Sequence, residues 1–482
     1  IRDGCTIGVS LLLAAIGRAC HPTSKDGWYS WCKETSLEYV LKMKLENLDS
    51  RHFWDQMNEI PVDIIPKIEE ELINKLISKY EIKLDTLLFD TTNFFTFIDS
   101  TNDHCELPKR GKNKQHRTDL RQIGMALLVS REDQFPLFHK TYEGNKNDSK
   151  LFQEVFQDIS KRIKSINNDL SEITIIFDKG NNSKANFNLI DAEEGIFYVG
   201  GLVSSHFKDL IKKANENFEI MKINDEDVPV YRLKTKIWGE ERTCVVSVST
   251  QLREGQILGI EQHLVKKYQQ LAELKQQLEN IKKRKCFDKD ELKKRLTSII
   301  RGQFIDDILK YDLIELKSGD YTFTYHLDND AFDYLKNNIL GRKILVTNRH
   351  GWASEEIILA YRGQAKVEYA FRNLKNPFHL AIMPQYHWTD QKIEIHFFIC
   401  ILGYLLSIAA YTKARKRAGY KKNINNFMEE LKNIRLSCRT TKKGSKVVYQ
   451  LEKIPKNMIK TLSVLGVTDD NIRSKVNLSG YN

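Results

Sequence analysis

One glutamate in residues 361–375, YRGQAKVEYAFRNLK, stands in a polar stripe. Residues spaced three, four or seven apart share one face of an α-helix, and the polar residues on this face are Tyr361, Gln364, Glu368, Arg372 and Lys375. A second, apolar stripe is suited to burial and consists of Val367, Ala370, Phe371 and Leu374. The pattern predicts an amphipathic helix. Taken alone, it leaves open whether Glu368 belongs to a solvated face or to a reactive site with cationic neighbours.

Two apolar strand patterns elsewhere in the chain end in aspartate. TLLFD ends at Asp90 and ITIIFD ends at Asp178. The carboxyl end of a strand is where α/β sheets present functional groups, although an aspartate there also caps turns. Together with Glu368, these side chains would supply the oxygen ligands that hard divalent cations prefer. Two such ions about 4 Å apart can activate a nucleophile and stabilise the leaving oxygen of a phosphodiester.

Composition narrows the class of protein. The 482 residues include 75 basic and 64 acidic side chains, a net charge of +11 that favours polyanionic partners. Eight cysteines without a CxxC pair indicate reduced thiols in a cytosolic protein and no structural zinc. The apolar stretch 393–411 contains Glu394 and His396, so we expect a buried helix and no membrane partner. The sequence GxxxxGK[ST] is absent, so we expect no nucleotide cofactor.

Hydrophobic periodicity predicts an α/β fold, with a mixed sheet flanked by helices. Strand patterns fall at 83–99, 121–130, 135–142, 172–178, 195–202 and 343–348. Helical patterns alternate with the later strands, and 354–375 reads as a single helix with Ser354 as its N-cap.

The texture of the chain also predicts its domains. Residues 1–80 form a helical region, and 206–341 form an inserted domain with short β segments and a long helix. The insertion divides the remaining α/β pattern into 81–205 and 342–412, and a basic C-terminal region covers 413–482.

In their order along the chain, these motifs resemble the DDE transposases of the IS4 superfamily, and in detail the IS1634-like family. The resemblance is carried by GRACHPTSK (17–25), LLFDTTNFF, EGNKNDSKLF, IIFDKGNNS, FYVGGL, ILVTN and residues 361–375. The superfamily motif Y-x2-R-x3-E-x6-K falls on Tyr361, Glu368 and Lys375, with Gln364 at the arginine position. Gly17 stands where an asparagine is expected.

The resemblance implies that 81–205 and 342–412 form an RNase H-like catalytic core, that 206–341 is the family's mostly β insertion domain, and that 1–80 serves DNA binding or dimerisation. It also implies a mechanism. Asp90, Asp178 and Glu368 would be the catalytic residues and the ligands of two Mg²⁺ ions, for which Mn²⁺ can substitute. The reaction would be cleavage at the element ends, followed by transfer of the freed 3′-OH into target DNA. The implied partners are double-stranded DNA, comprising terminal inverted repeats and target, and a second copy of the chain on that DNA. The implied location is the cytoplasm, at the nucleoid.

Further residues are candidates for DNA contact. On the helix the resemblance points to Tyr361, Arg362, Gln364, Arg372 and Lys375. The basic run 108–121, with Lys109, Arg110 and Lys112, is either a phosphate-binding loop beside Asp90 or a solvated loop. Trp238 either stacks on a flipped base or packs in a core.

Two alternative functions remain compatible with the sequence. An RNase H-like nuclease or resolvase would use the same carboxylates to cut DNA without strand transfer. A non-catalytic remnant of a transposase would bind DNA only.

Overall fold

The computed structural model describes residues 5–99, 101–113, 115–166, 172–280, 288–317, 319–440 and 447–468. Contacts divide the chain into two compact units. The first consists of Ile1–Val199 and Ala360–Asn482, and the second of Gly200–Leu359. The domain boundaries predicted from the sequence stay predictions, and part of the predicted C-terminal region 413–482 lies outside the described residues.

The β-strands are β1 (Thr86–Phe95), β2 (Gln122–Ser130), β3 (Pro136–Glu143), β4 (Ile173–Phe177), β5 (Ile196–Leu202), β6 (Glu219–Ile223), β7 (Glu226–Ile237), β8 (Glu240–Val248), β9 (Leu309–Glu315), β10 (Tyr321–Leu327), β11 (Arg342–Thr347), β12 (Leu436–Thr440) and β13 (Val447–Leu451). The helices are α1 (Ile7–Cys20), α2 (Trp28–Cys32), α3 (Leu37–Leu41), α4 (Ser50–Asn58), α5 (Ile65–Tyr80), α6 (Asp148–Ile166), α7 (Lys184–Asp191), α8 (Lys208–Glu216), α9 (Thr250–Asn280), α10 (Lys289–Ile300), α11 (Ile305–Ile308), α12 (Asn329–Asn338), α13 (Ser354–Arg362), α14 (Ala365–Lys375), α15 (Asp390–Lys413), α16 (Ile424–Lys432) and α17 (Ile459–Leu465). The predicted α/β class is confirmed.

Strands β1 to β5 are hydrogen-bonded in the order β3-β2-β1-β4-β5. β1 runs antiparallel to β2, and β2 runs antiparallel to β3, which gives the predicted three-strand meander. β4 runs parallel to β1. A meander with a parallel strand added beside its first strand is the mixed sheet expected of an RNase H-like core.

Aromatic side chains hold helices α6 and α7 against this sheet. Phe89 of β1 and Phe177 of β4 each lie 5.3 Å from the ring of Phe152 on α6. The Phe177 ring also lies 5.9 Å from that of Phe187 on α7. All four residues are fully buried, so this face of β1 and β4 is the core face.

Helix α15 is the central helix of the first unit. It contacts α1, α4, α5 and β3. The approach to α1 is close at Gly403, where a Cβ atom would lie 3.0 Å from the carbonyl oxygen of Ala15. Among the residues that the structure describes, one helical stretch, Asp390–Ala418, is long and apolar enough to cross a membrane. Its most apolar window has a mean hydropathy of 2.0. Because 78% of its apolar window is buried inside the protein, the predicted buried helix is confirmed.

The second unit contains its own strands and core. Strands β11, β8, β7 and β6 are neighbours in that order, and each adjacent pair is antiparallel. The long helix α9 packs Leu264, Leu271 and Leu274 against a core that includes Leu296 and Phe323. These leucines form an apolar seam along α9, and the segment 281–287 after it lies outside the described residues.

The predicted single helix 354–375 is wrong, because the structure has two helices there, α13 and α14. At the break, Gly363 N–H donates to the Ala360 carbonyl and Gln364 N–H donates to the Tyr361 carbonyl, both at 3.0 Å. These are bonds between residues three apart, which tighten the last turn of a helix and end the regular α-helical ladder. Hydrophobic spacing runs through the break unchanged, so the sequence pattern conceals it.

Gly144, the residue after β3, packs closely against Gln122 of β2. A Cβ atom on Gly144 would overlap the backbone of Gln122, whose side-chain Nε2 also donates to the Gly144 carbonyl at 2.7 Å. We predict that Gly144→Ala lowers the free energy of unfolding by about 1–3 kcal/mol, measured by urea denaturation. Gly8→Ala is the matched control, since Gly8 is in α1 with no atom within 4 Å of the added methyl. Equal urea midpoints for the two variants would contradict the prediction.

Candidate active site

The first two carboxylates are brought together by strand register. β1 and β4 are parallel, and their last registered pair is Phe89 with Phe177. Asp90 directly follows Phe89, and Asp178 directly follows Phe177. Since neighbouring strands are about 4.8 Å apart and side chains alternate between faces, both aspartates leave the sheet on the face opposite the aromatic core.

Helix α14 covers that same face of β1. Asp90, Thr92 and Phe94 alternate onto one face of the strand, and α14 contacts β1. Lys375 at the end of α14 donates from Nζ to Oγ1 of Thr92 at 2.6 Å. Its ammonium group also lies 5.0 Å from the centre of the Phe94 ring. The lysine of the motif therefore fixes the helix to the strand that carries Asp90.

Tyr361, at the end of α13, connects the helices to the other aspartate. Its hydroxyl donates to Oδ1 of Asp178 at 3.0 Å. Burial raises the pKa of the Tyr361 phenol, and the charge and hydrogen bond of Asp178, followed by the charges of Asp90 and Glu368, raise it further. All three predicted carboxylates therefore lie within electrostatic range of one hydroxyl group. Because its pKa is raised, that hydroxyl keeps its proton and acts as a hydrogen-bond donor.

Gln364 occupies the motif position where an arginine is expected, and the structure places it inside the protein. Its side chain is 8% exposed, and Nε2 donates to the Phe89 carbonyl at 2.9 Å. Phe89 directly precedes Asp90. Gln364 thus ties the junction of α13 and α14 to β1. The predicted contact of Gln364 with DNA stays a prediction, and its side chain is buried in this structure.

Glu368 lies in the first turn of α14, one turn after Gln364, and its side chain is exposed. No ion pair to Glu368 is found among the described residues. Arg362 and Arg372 are exposed as well, and the Arg372 guanidinium lies 6.0 Å from the centre of the Tyr369 ring. The stripe seen in the sequence therefore divides in the structure: Tyr361, Gln364 and Lys375 bind the strands, whereas Glu368 and the arginines face outward.

The described residues do not form a closed metal site. Among them, no group of three or more histidine, cysteine, aspartate or glutamate side chains is arranged to hold a metal ion. Asp178 accepts a hydrogen bond from Tyr361, and Oδ1 of Asp90 accepts one from the backbone N–H of Thr91 at 2.8 Å. Carboxylate oxygens are the donor type that suits Mg²⁺. The ligands would have to turn toward an ion to bind it together.

The basic run 108–121 begins at the far end of β1. Lys109 pairs with Gln122, which itself pairs with Phe95. Phe95 is five residues along the strand from Asp90, or about 17 Å at the usual rise of a β-strand. Arg110 and Lys112 are exposed, Lys109 is half-buried, and Lys114 of the same run lies outside the described residues. The loop is therefore farther from Asp90 than the sequence suggested.

Trp238 belongs to the second unit and lies at a hairpin tip between β7 and β8. It has a φ of 52° and is followed by Gly239 with a φ of 101°. Two positive values of φ are typical of a two-residue hairpin turn, in which glycine and asparagine are more usual than tryptophan. The indole is half-buried and packs edge-on against Phe207 at 6.4 Å.

Sequence reasoning missed two participants of the site. The first is Thr92, which accepts the hydrogen bond from Lys375. The alternation of a β-strand was a usable signal, because Thr92 stands two residues after Asp90 and so shares its face. The carbonyl of Phe89 was also missed. No pattern in the sequence marks a backbone acceptor.

Among solved structures, the piggyBac transposase synaptic complex with hairpin DNA is similar over 88% of this chain and 69% of that chain, at 10% identity and a TM-score of 0.39. The Mos1 transposase paired-end complex with left transposon end is similar over 43% of this chain and 62% of that chain, at 6% identity and a TM-score of 0.18. Both likenesses are too weak to assign anything to this chain. No curated protein matches it.

A family profile gives a clear result. The profile described as transposase DDE domain matches residues 95–406, which is well over half of the chain. The match contains Asp178 and Glu368 and begins five residues after Asp90. The chain therefore belongs to the transposase DDE domain family.

Proposed function

We propose that the protein is a DNA transposase that cleaves the ends of its element and transfers the freed 3′-OH into target DNA. The observation that carries the proposal is the position of Asp90 and Asp178, which strand register sets side by side, with the Tyr361 hydroxyl bonded to Asp178. Glu368 lies on α14, the helix that contacts β1. Both reactions are in-line displacements at phosphorus, so one set of carboxylates can serve both. At the finer level, we propose membership of the IS4 superfamily and its IS1634-like family, on the motifs described above.

Divalent cations are the proposed cofactors of both reactions. Asp90, Asp178 and Glu368 would hold two Mg²⁺ ions, with Mn²⁺ as a substitute. When bound, such ions activate the attacking oxygen and stabilise charge on the leaving oxygen. The chain's own residues prepare the ligands: Tyr361 orients Asp178, and Gln364 and Lys375 hold α14 over β1. Hydrogen bonds of this kind to ligand carboxylates typically tune metal affinity or activity 10- to 100-fold.

Exposed cationic side chains provide the contacts for DNA. Arg362 and Arg372 flank Glu368 in the sequence, while Lys109, Arg110 and Lys112 belong to the run that begins near the end of β1. The estimated 17 Å between Asp90 and the end of β1 equals about five base-pair steps of duplex DNA at 3.4 Å each. One duplex could therefore reach both groups. We propose terminal inverted repeats and target DNA as the partners, a homodimer on that DNA, and a nucleoid-associated location in the cytoplasm. Trp238 remains a candidate for base stacking from its hairpin tip.

The two alternative functions differ from this proposal in their products. A nuclease or resolvase with the same carboxylates would cut DNA without joining the 3′-OH to a second DNA. A non-catalytic remnant would bind DNA and form neither product. The exposed Glu368 favours a catalytic protein, because no ion pair to its carboxylate is found among the described residues.

The carboxylates can be tested directly. Asp90→Asn, Asp178→Asn and Glu368→Gln should each reduce Mg²⁺-dependent cleavage and strand transfer to background, since an amide is a much poorer ligand for a hard cation. The measurement uses labelled DNA carrying the terminal inverted repeats, with gel shift in EDTA to show that DNA binding persists. Glu71→Gln, an exposed position on α5, is the control for the lost charge.

The products decide between the candidate functions. Cleavage with 3′-OH transfer in the wild type supports the transposase. Cleavage alone supports the nuclease, and binding without products supports the remnant. Full activity in any of the three carboxylate variants would contradict the assigned site.

The Tyr361 hydroxyl can be tested by a single-atom change. Tyr361→Phe should lower cleavage about 10- to 100-fold and raise the Mg²⁺ concentration for half-maximal activity, because Asp178 loses its hydrogen bond. Tyr334→Phe, at an exposed tyrosine of α12, should change neither quantity. The pH profile of cleavage between about pH 6 and 9 should keep its shape in Tyr361→Phe, since the raised pKa keeps the phenol protonated throughout. A change confined to the pH profile would show that Tyr361 titrates and that the positioning role is wrong.

A further inference from the structure

The turn between β2 and β3, residues 131–134, lies beside the break between α13 and α14. The Arg131 side chain passes over that break, since a Cβ atom on Gly363 would lie 3.3 Å from Nε of Arg131. Lys366 follows one turn later on α14, where its backbone N–H donates to the Gly363 carbonyl at 2.9 Å. Arg131 and Lys366 are both half-buried. Two cationic side chains therefore start from neighbouring positions, one on the sheet and one on the helix that carries Glu368.

The stretch that follows α15 adds two further cations to this turn. Arg415 and Lys416 form ion pairs with Asp133 at 2.5 and 2.7 Å. Arg415 also donates to the Glu132 carbonyl at 3.3 Å. The Asp133 side chain is fully buried, and a buried carboxylate is costly unless it is paired, so these two cations are needed for its neutralisation. The four cations around the turn, which we call the turn cluster, are Arg131, Lys366, Arg415 and Lys416.

Lys366 has no such structural partner. No ion pair or hydrogen bond of its amine is found within the described ranges of the chain. The second carboxylate of the turn, Glu132, is exposed and pairs with Lys83 at 3.3 Å. Burial, followed by the charges of Arg131 and Arg415, lowers the pKa of Lys366. The turn cluster thus holds more positive charge than its two carboxylates offset, and a bound anion would relieve the repulsion.

The turn cluster lies before Asp90 along β1. The backbone N–H of Arg131 donates to the carbonyl of Thr86, the first residue of the strand, at 3.1 Å. Asp90 is four residues farther, or about 13 Å at the usual rise of a β-strand. The basic run 108–121 begins near the other end of the same strand. Positive charge is therefore present at both ends of the strand that carries Asp90.

We propose that the turn cluster binds a backbone phosphate of duplex DNA, with Lys366 as its main contact. This inference deepens the proposed transposase function and rests on it, because DNA is the partner proposed there. A phosphodiester supplies one negative charge and the oxygen acceptors that lysine and arginine bind. An elongated polyanion also suits positive charge at both ends of β1, whereas a free phosphate ion would occupy only one of them. Contacts to the backbone carry no base readout, so this contact is independent of DNA sequence.

The salt dependence of binding tests the contact. Affinity is measured on the full chain in EDTA by fluorescence anisotropy, with a labelled duplex that carries the terminal inverted repeat and with a scrambled duplex. Each phosphate neutralised by the protein contributes about −0.9 to the slope of log K against log salt concentration. Lys366→Met should weaken binding to both duplexes and make the slope less steep by about 0.9, while Lys366→Arg should keep the slope of the wild type.

The matched control is Lys161→Met, which removes an exposed cation of α6 on the core face of the sheet and should bind like the wild type. Equal slopes for Lys366→Met and the wild type would overturn the proposal, as would a loss confined to the inverted-repeat duplex.

Neutral methylphosphonates identify the contacted phosphate. They replace single phosphates along the duplex, so each removes one backbone charge. At the phosphate bound by the turn cluster, the substitution should weaken binding of the wild type and have no effect on Lys366→Met, because the contact is already lost. Penalties of equal size in both proteins at every position would show that Lys366 contacts no phosphate, and the proposal would fail.

Stability separates this role from a structural one. Lys366→Met should leave the urea midpoint unchanged or higher, because methionine keeps the apolar stem and removes the repulsion with Arg131 and Arg415. A lower midpoint with unchanged DNA binding would make Lys366 a structural residue. If inorganic phosphate raises the midpoint of the wild type while the methylphosphonate penalties match in both proteins, the ligand is a free ion, and the proposal is likewise wrong.

Failure of the proposed function gives a different result. A wild type that binds DNA through Lys366 in EDTA but forms no product with Mg²⁺ would contradict the transposase and support the phosphate contact. Cleavage and strand transfer with unchanged salt slopes in Lys366→Met would support the transposase and contradict the contact.

Discussion

The parallel register of β1 and β4 is the constraint on which the site depends. It pairs Phe89 with Phe177 on the core face, and it therefore brings Asp90 and Asp178 to the opposite face at adjacent positions. The aromatic packing of Phe89 and Phe177 against Phe152 makes the register costly to change, because a slip of one residue would turn one of these rings to the opposite face of the sheet. The stability of the hydrophobic core and the position of two acidic groups are thus fixed by the same strand pairing.

The helices add the third acidic group through a small number of polar contacts. Tyr361, Gln364 and Lys375 each bond to β1 or to the residue after β4, and the break between α13 and α14 lets the first two of them face the sheet. Within a partly buried environment these contacts are stronger than they would be in water. Burial, followed by the carboxylates of Asp178, Asp90 and Glu368, raises the pKa of the Tyr361 phenol in this arrangement.

The sequence predicted those parts of the structure that depend on local pattern. Apolar runs located β1 and β4, and helical spacing placed Glu368 on a helix. Asp178 directly follows β4 as predicted, but the prediction that β1 ends at Asp90 is wrong, because the strand continues to Phe95. The sequence could not predict the break at Gly363, because the hydrophobic period continues across it, or the burial of Gln364, because that depends on a carbonyl 275 residues away in the chain. The distance of the basic run from Asp90 depends likewise on where β1 ends. Tertiary contacts of this kind leave no mark on neighbouring residues.

The apolar helix α15 has a consequence for how the chain is synthesised. Its composition is that of a segment which membrane-insertion machinery could accept, with a mean hydropathy of 2.0. Most of its partners, α1, α4, α5, α14 and β3, precede it in the chain, whereas α16 and α17 follow it. Much of the surface that buries the helix has therefore been synthesised before the helix emerges. The order of elements along the polypeptide thereby favours burial in protein over capture by lipid during translation.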